Sequence, residues 1–366
     1  MLVDAVPAMS MQPTAAGVCK HAVTPQYTGR RGKLYIPITP SRRGWGNVCT
    51  NLFQSLVLAL LLDRRPVLVS PENDKGAQFL KYFAPTDRID FESDMPGDMV
   101  HIPQVAARVR ALVHAPPPAN VPVKTFDAWG VRGLDLIRAA RRRGLLSDSA
   151  CIAPFFLLPR TQLVTAARAA AAGSTAVHVR TCRAAHGNWS DTCIRQHRTQ
   201  VNNISAAARN IVSLAEHTGS SSRLFVAADD EATFARVRKL WARGSVQSFE
   251  GLGRVVHSQY PPSDRRALVD DDLRRILSDW LAPVYANEVI EIGGSTFWLS
   301  SLCLFRPAQR MMVLPAAAAM DPSGKPRQGA SMTWSCATDG LVPLHWASGN
   351  GGGRGYLSQR LHVARG

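Results

Sequence analysis

A histidine and an arginine stand two residues apart in the stretch STAVHVRTCRAAHG (174–187). Residues 175–179 have the β-branched and small apolar composition of a buried strand. Because side chains alternate along a strand, His178 and Arg180 are expected to point to the same side. A lone histidine in a strand is more often a core residue, but an arginine beside it requires a partner. Phosphate is such a partner, since a guanidinium binds it through two parallel hydrogen bonds.

Two further strand ends carry polar groups at the predicted start of a helix. In EIGGSTFWLSS (291–301), two glycines follow a strand and a helix is predicted to begin at Ser295 and Thr296. Free backbone N–H groups and two hydroxyls there form an anion site, although an ordinary helix cap explains the same residues. After another strand, Asp229 and Asp230 open a helix, a position that favours acidic side chains.

The stretch SRRGWGNVC (41–49) lies between the first predicted strand and a long apolar helix. Gly44 and Gly46 permit a tight turn and a close approach of backbone to ligand. Asn47 is predicted to cap the helix, and Arg43 adds a cation at the same place. A plain strand-to-helix turn is the alternative. The spacing matches neither a dinucleotide-binding fingerprint nor a P-loop, which needs a Gly-Lys-Ser/Thr end.

Asp279 lies on a predicted helix that precedes the strand at 288–292. A carboxylate can accept two parallel hydrogen bonds from N1 and N2 of guanine, which no other common base offers in that way. A solvent-facing helical aspartate is the alternative interpretation.

Strand-like and helix-like segments alternate along most of the chain, which predicts an α/β fold with parallel sheets and helices on both faces. The predicted strands are 33–39, 66–70, 175–179, 223–228, 288–292 and 310–315, and the predicted helices are 51–63, 127–144, 196–217, 229–241, 264–286 and 295–305. We expect two Rossmann-like domains that face a cleft, where ligands bind beyond the carboxyl ends of the strands. The predicted division is a loose leader (1–30), a first domain (31–165), a second domain (170–330) and an irregular tail (331–366).

Composition limits the function classes. The 366 residues are 46% hydrophobic and 19% charged, as in a globular enzyme, and the net charge of +16 suits a polyanionic partner such as nucleic acid, a membrane surface or ligand phosphates. The seven cysteines show no zinc spacing, although Cys182 and Cys193 could form a local bridge. The longest apolar run (56–62) is too short to span a bilayer, and no signal peptide is visible, so no membrane contact is expected.

Taken in order, these motifs resemble the GDP-fucose-dependent fucosyltransferases, a GT-B-like superfamily that includes α1,6- and α1,2-fucosyltransferases and protein O-fucosyltransferases. The resemblance runs over residues 33–315. Its most specific elements are His178-x-Arg180, the ADD sequence at 228–230 and Ser295-Thr296-Phe297.

The resemblance implies a role for each motif. Arg180 would bind the β-phosphate and assist its departure, with Asn47 and Arg43 facing the transfer site. The implied nucleotide-sugar-binding residues are His178, Asp229, Asp230, Asp279, Ser295, Thr296, Phe297, Gly44 and Gly46.

The implied reaction is metal-independent transfer of L-fucose with inversion, with GDP-fucose as donor, no cofactor, and a glycan or protein hydroxyl as acceptor. The implied location is the Golgi or ER lumen, with the cytoplasm as the alternative. Three other functions remain open: a GT-B transferase that uses another sugar nucleotide, an inactive GDP-sugar-binding relative, and a basic nucleic-acid-binding protein. The inactive relative remains open because Thr181-Cys182 stands where the family often has Gly-Asp. A nucleic-acid-binding protein is disfavoured because the sequence has no basic cluster interleaved with aromatic residues.

Overall fold

The computed structural model describes residues 26–38, 45–69, 81–102, 106–125, 136–146, 152–179, 204–218, 221–228, 230–249, 252–253, 270–292, 296–314 and 332–336. In the first half these form strands β1 (Lys33–Pro37), β2 (Arg65–Val69), β3 (Phe83–Pro85), β4 (Asp90–Glu92), β5 (Val100–His101), β6 (Val123–Lys124) and β7 (Leu157–Pro159), and helices α1 (Trp45–Leu62), α2 (Ala106–His114), α3 (Leu136–Arg142), α4 (Ala153–Phe156) and α5 (Thr161–Ala171).

The second half contains strands β8 (Thr175–Val179), β9 (Leu224–Ala228), β10 (Val246–Gln247), β11 (Glu288–Ile292), β12 (Met311–Leu314) and β13 (Met332–Trp334), and helices α6 (Ile204–Thr218), α7 (Glu231–Leu240), α8 (Asp270–Leu281) and α9 (Thr296–Phe305). The protein is therefore an α/β protein, as predicted. All predicted strands are present within two residues of their expected ends.

Two sheets organise the chain. The first is parallel throughout, in the order β4-β2-β1-β6-β5. The second has the order β10-β9-β8-β11-β12-β13 and is parallel except for β13. Strands β3 and β7 form a separate antiparallel pair.

The second sheet is covered on both faces because its central strands alternate apolar side chains between two clusters. Val177 and Val179 of β8 pack with residues of α6 and α7. Ala176 of the same strand and Val289 of β11 belong to the other cluster, which includes residues of α8 and α9. This alternation is the pattern expected when a sheet is buried on both sides.

Helices α1 and α9 pack against each other, and a single buried cluster runs through both halves of the chain. Phe83 of the first half contacts the rings of Trp280 and Phe305 in the second, with centroids 6.1 and 6.5 Å apart. The halves therefore share a hydrophobic core, which the predicted division into two domains did not anticipate.

Several predicted helix bounds were wrong for identifiable reasons. Helix α1 begins at Trp45, six residues before the predicted start, so Gly46 lies in its first turn and accepts a hydrogen bond from Thr50 Oγ1 at 2.7 Å. Asn47 is therefore the third residue of the helix and not its cap. Helix α8 ends at Leu281, and a 3₁₀ turn containing Pro283 follows, because proline interrupts the α-helical hydrogen-bond pattern.

The tail was predicted to be irregular, but Met332–Trp334 forms β13, which pairs antiparallel with β12. A disulfide between Cys303 of α9 and Cys336 ties the end of this strand to the sheet's covering helix. The sequence analysis did not predict this bridge, and the bridge it considered, Cys182–Cys193, lies outside the described residues.

Much of the basic surplus has a structural use. Arg143 donates to carbonyls at the ends of α1 and α2, and Arg223 donates to Ala169 and Ala172 at the end of α5. Arg64 is fully buried and donates to four carbonyls, including those of Pro117 and Pro118, and burial lowers its pKa. These arginines donate hydrogen bonds to carbonyls at helix ends and in a proline-rich loop.

Candidate functional site

In the second sheet, the direction in which successive strands are added reverses between β8 and β11. From β8 the chain adds β9 and β10 on one side, then returns to add β11 and β12 on the other. The helices that follow two neighbouring strands then lie on opposite faces, which opens a crevice beyond their carboxyl ends. His178 lies directly opposite Glu291 at this end of the paired strands.

His178 and Glu291 form a buried pair. The Nδ1 atom of His178 lies 2.9 Å from both Oε1 and Oε2 of Glu291. The glutamate side chain is completely buried, while 11% of the histidine side chain is exposed. Within the described part of the chain, Nε2 of His178 makes no hydrogen bond.

Two aromatic rings of α9 flank the imidazole. The centroid of Phe297 lies 5.5 Å and that of Trp298 lies 5.4 Å from the centroid of His178. Trp298 Nε1 donates to the backbone carbonyl of Asp279 at 2.8 Å, which links α9 to α8. The predicted residues His178, Phe297 and Asp279 therefore lie together.

Asp279 is a partly buried carboxyl group on α8. Burial raises its pKa to about 7, while the nearby Arg275 and His178 act in the opposite direction. Arg275 is buried one turn earlier on the same helix. No hydrogen bond to the Asp279 carboxylate is formed among the described residues. This placement disfavours the solvent-facing interpretation.

Arg275 connects this region to the segment after β9. Its Nη1 atom donates to the carbonyl of Gly253 at 2.9 Å and lies 3.4 Å from Glu231 Oε1. Gly253 has a φ of +67°, and a Cβ there would approach the carbonyl oxygen of Asp271 to 2.4 Å. Only glycine lets the loop pass this close to the start of α8.

Asp230 caps α7. Its two carboxylate oxygens accept hydrogen bonds from the backbone N–H and the hydroxyl of Thr233, at 2.7 and 2.8 Å. The sequence analysis assigned Asp230 both to this helix start and to the nucleotide. The structure shows the first role, and the second stays a prediction.

For the other predicted site residues discussed next, the structure does not describe the side chains. Arg43, Gly44, Arg180, Asp229 and Ser295 lie outside the described residues, and for Asn47 and Thr296 only the backbone is described. Their roles stay predictions. Helix α9 does begin at Thr296, within one residue of the predicted start.

The sequence analysis missed Glu291, Arg275 and Trp298. A signal for Glu291 was present, because an acidic residue in the centre of an apolar strand must be paired when it is buried. The four-residue spacing of Arg275 and Asp279 on one helix face was a second signal. Together these residues combine polar groups with aromatic rings, which suits a ligand that has an aromatic ring and hydrogen-bond donors.

No group of His, Cys, Asp or Glu in the described ranges is arranged to hold a metal ion.

No protein-family model and no curated protein matches the chain. Solved structures are similar to it, among them the fucosyltransferase NodZ from Bradyrhizobium, with 12% identity, coverage of 82% of this chain and 98% of that one, and a TM-score of 0.47. Arabidopsis thaliana FUT1 in complex with GDP has 10% identity, coverage of 82% and 73%, and a TM-score of 0.49. POFUT1 in complex with GDP-fucose has 10% identity, coverage of 76% and 94%, and a TM-score of 0.39.

These structural neighbours are glycosyltransferases of the superfamily that the sequence motifs resemble. At such low identities and TM-scores, the assignment of an activity to this chain depends on the residues of its own site.

Proposed function

We propose that the protein is a GT-B-like glycosyltransferase that transfers L-fucose from GDP-fucose to a hydroxyl group of a glycan or protein, with inversion and without a metal ion. The observation that carries the proposal is the meeting of Asp279, His178 and Phe297 at the crevice between β8 and β11. This is the position at which an open α/β sheet binds nucleotides.

Asp279 is suited to guanine. Its carboxylate has no hydrogen-bond donor among the described residues, and guanine offers two parallel N–H donors at N1 and N2. Phe297 provides an apolar surface beside His178 for the nucleoside. A uracil or adenine base lacks that pair of donors and would leave the partly buried carboxylate unsatisfied, which is costly.

The diphosphate would lie between Arg180 and the first turn of α9. Arg180 follows Val179, the last residue of β8, and Ser295 precedes the first residue of α9. The bond between fucose C1 and the β-phosphate oxygen breaks, and its electron pair stays on that oxygen as GDP leaves. Arg180 and the free N–H groups of the helix stabilise the charge that develops there.

The acceptor hydroxyl attacks C1 from the opposite face and loses its proton, which gives inversion. The first half of the chain would present the acceptor, with Arg43, Gly44 and Asn47 near the transferred sugar. The consecutive acidic residues 229–231 are candidates for the general base; of these, Asp230 already accepts two hydrogen bonds and Glu231 pairs with Arg275. Asp229 is the remaining candidate.

We also propose that the protein works in an oxidising compartment such as the Golgi or ER lumen. The Cys303–Cys336 bridge supports this location, because structural disulfides persist mainly on the secretory route. No described helix is both long and apolar enough to cross a membrane.

The first test is a thermal-shift screen of the wild-type protein and Asp279→Asn against GDP, UDP, ADP and GDP-fucose. We expect GDP and GDP-fucose to raise the melting temperature of the wild type, and UDP and ADP to have little effect. The variant should lose most of the GDP shift. Equal shifts with UDP would instead support a transferase that uses another sugar nucleotide.

Binding alone does not separate a transferase from an inactive relative, so the second test measures release of fucose from GDP-fucose by the bound enzyme. Binding without release in the presence of acceptor glycans would contradict the transferase proposal. Filter binding to DNA and RNA at about 0.15 M salt should show little affinity, since affinity for nucleic acid that persists there would point to a different function.

A further inference from the structure

Glu291 has no role in the function proposed above, yet it is the most deeply buried acid in contact with the site. Its side chain is completely inaccessible, and both of its oxygens lie 2.9 Å from Nδ1 of His178. A carboxylate between apolar strand residues is costly to bury, so burial of Glu291 requires a compensating interaction.

We propose that Glu291 is a positioning residue that holds a proton on Nδ1 of His178 and thereby presents Nε2 of the imidazole to the bound nucleotide. A deprotonated carboxylate only accepts hydrogen bonds, so in this arrangement the Nδ1 atom that it contacts is the donor. A histidine whose Nδ1–H is held in this way keeps one tautomer and one ring orientation.

The surroundings of the ring support this role. Phe297 and Trp298 pack against the imidazole with centroids 5.5 and 5.4 Å away, so rotation of the ring about χ2 is restricted. Nε2 lies on the side of the ring away from the carboxylate, and it makes no hydrogen bond within the described ranges. A neutral ring that carries its proton on Nδ1 accepts a hydrogen bond at Nε2 from a ligand N–H or hydroxyl group, such as a ribose hydroxyl.

The test begins with the protonation state of the ring, which does not depend on the proposed function. Nitrogen NMR of the imidazole distinguishes a protonated from an unprotonated Nδ1, and the signal of His178 among the ten histidines is assigned from its loss in His178→Gln. We expect Nδ1 to be protonated in the wild type. An unprotonated Nδ1 in the wild-type protein would overturn the proposal, and this result needs no variant of Glu291.

The variants then measure the effect on binding. Glu291→Ala should give a mixture of tautomers and weaken GDP binding about tenfold to a hundredfold, the effect of losing a hydrogen bond to a charged group. Glu291→Gln keeps an acceptor oxygen of the same reach and should recover part of the affinity. Glu288→Gln is the matched control, because Glu288 lies on the same strand and accepts from Thr175 Oγ1 at the opposite end of β11.

Wild-type behaviour of Glu291→Ala in both the imidazole spectrum and GDP affinity would overturn the proposal. The presentation of Nε2 to a nucleotide rests on the proposed function, whereas the protonation of Nδ1 does not. The proposed function and the role of Glu291 can therefore fail separately. If the wild type does not bind GDP, the proposed function is wrong, while the imidazole spectra still decide whether Glu291 sets the proton on His178.

Discussion

Both sheets have a switch point beside their first strand, but they differ in where they carry ionisable side chains. In each, the chain starts at a central strand, adds strands on one side and then on the other. In the first sheet the corresponding carboxyl end, between β1 and β6, carries the buried residues Ile38 and Thr125, neither of which ionises. Its described ion pairs, Lys33–Glu92 and Arg65–Asp90, have side chains that are 31–45% exposed.

The second sheet has the opposite distribution. Its switch point holds the buried His178–Glu291 pair and the partly buried Asp279. Exposed ion pairs contribute little to stability, whereas buried ionisable groups must be compensated and are concentrated at functional sites. Topology alone therefore offers two crevices, and only the second has buried ionisable side chains among the described residues, which supports the site proposed above.

The largest expected effect tests whether the second sheet carries the reaction. Arg180→Ala should lower the rate of fucose transfer by about 10²–10³-fold or more, because a cation that stabilises the leaving diphosphate is lost. The melting temperature without ligand should change little. Transfer is measured by GDP release from GDP-fucose.

The control for this variant is Arg142→Ala, which removes an exposed arginine of α3 in the first half. It should retain the wild-type rate. Near-normal activity of Arg180→Ala, or an equal loss in both variants, would contradict the assignment of the reaction to the second sheet.

A second difference between the halves is covalent, because the described disulfide ties only the second sheet's edge strand. The bridge joins residues 33 positions apart in sequence, Cys303 and Cys336. By lowering the entropy of the unfolded chain, it should stabilise the folded state by about 3–4 kcal/mol. Reductant should therefore lower the free energy of unfolding of the wild type by up to that amount in urea titrations. The double variant Cys303→Ala/Cys336→Ala should be less stable and insensitive to reductant; a reductant-sensitive double variant would show that another bridge is responsible.

Asp279 should make the affinity of the second sheet's site for GDP depend on pH. Burial raises the pKa of Asp279 to about 7, and only the ionised form accepts the two guanine N–H groups. GDP affinity should therefore fall as pH is lowered through about 7, by up to tenfold per pH unit, while Asp279→Asn should bind weakly with a flatter profile. Isothermal titration of GDP across this range checks it, and identical profiles for the two proteins would exclude Asp279 as the guanine reader.

The same shift has a consequence for stability. The pKa of Asp279 is raised from 3.8 in the unfolded chain to about 7 in the folded protein, so the folded state binds more protons between these values. Its contribution to stability is fully present below pH 3.8 and is lost as pH rises through about 7. In Asp279→Asn this part of the pH dependence should be absent from urea-unfolding free energies.

Sequence patterns predicted the strands of both sheets because apolar periodicity and strand length are local properties. The resemblance also implied that His178, Asp279 and Phe297 belong to one site; the structure brings the three residues together, and their role in binding a nucleotide stays a prediction. The start of α1 was misjudged because glycine and asparagine at positions 46 and 47 suggest a turn, whereas the surrounding tertiary contacts extend the helix through them.

The pairings across the second sheet could not be predicted locally. His178 and Glu291 are 113 residues apart in sequence, and only the register of β8 against β11 brings them together. The Cys303–Cys336 bridge depends likewise on β13, a three-residue edge strand whose sequence carries no strong signal. The shared core of the two halves follows from the packing of α1 against α9, which no single segment encodes.

The smallest expected effect concerns Asp230, at the margin of the second sheet's site. Because both of its oxygens are occupied by Thr233, Asp230→Ala should lower the free energy of unfolding by about 1 kcal/mol, the usual cost of losing a helix cap. Asp230→Ser keeps a capping oxygen and should lose less. If Asp230 serves only as a cap, both variants bind GDP like the wild type; a large loss of GDP affinity in the stable serine variant would extend the nucleotide site to the carboxyl end of β9.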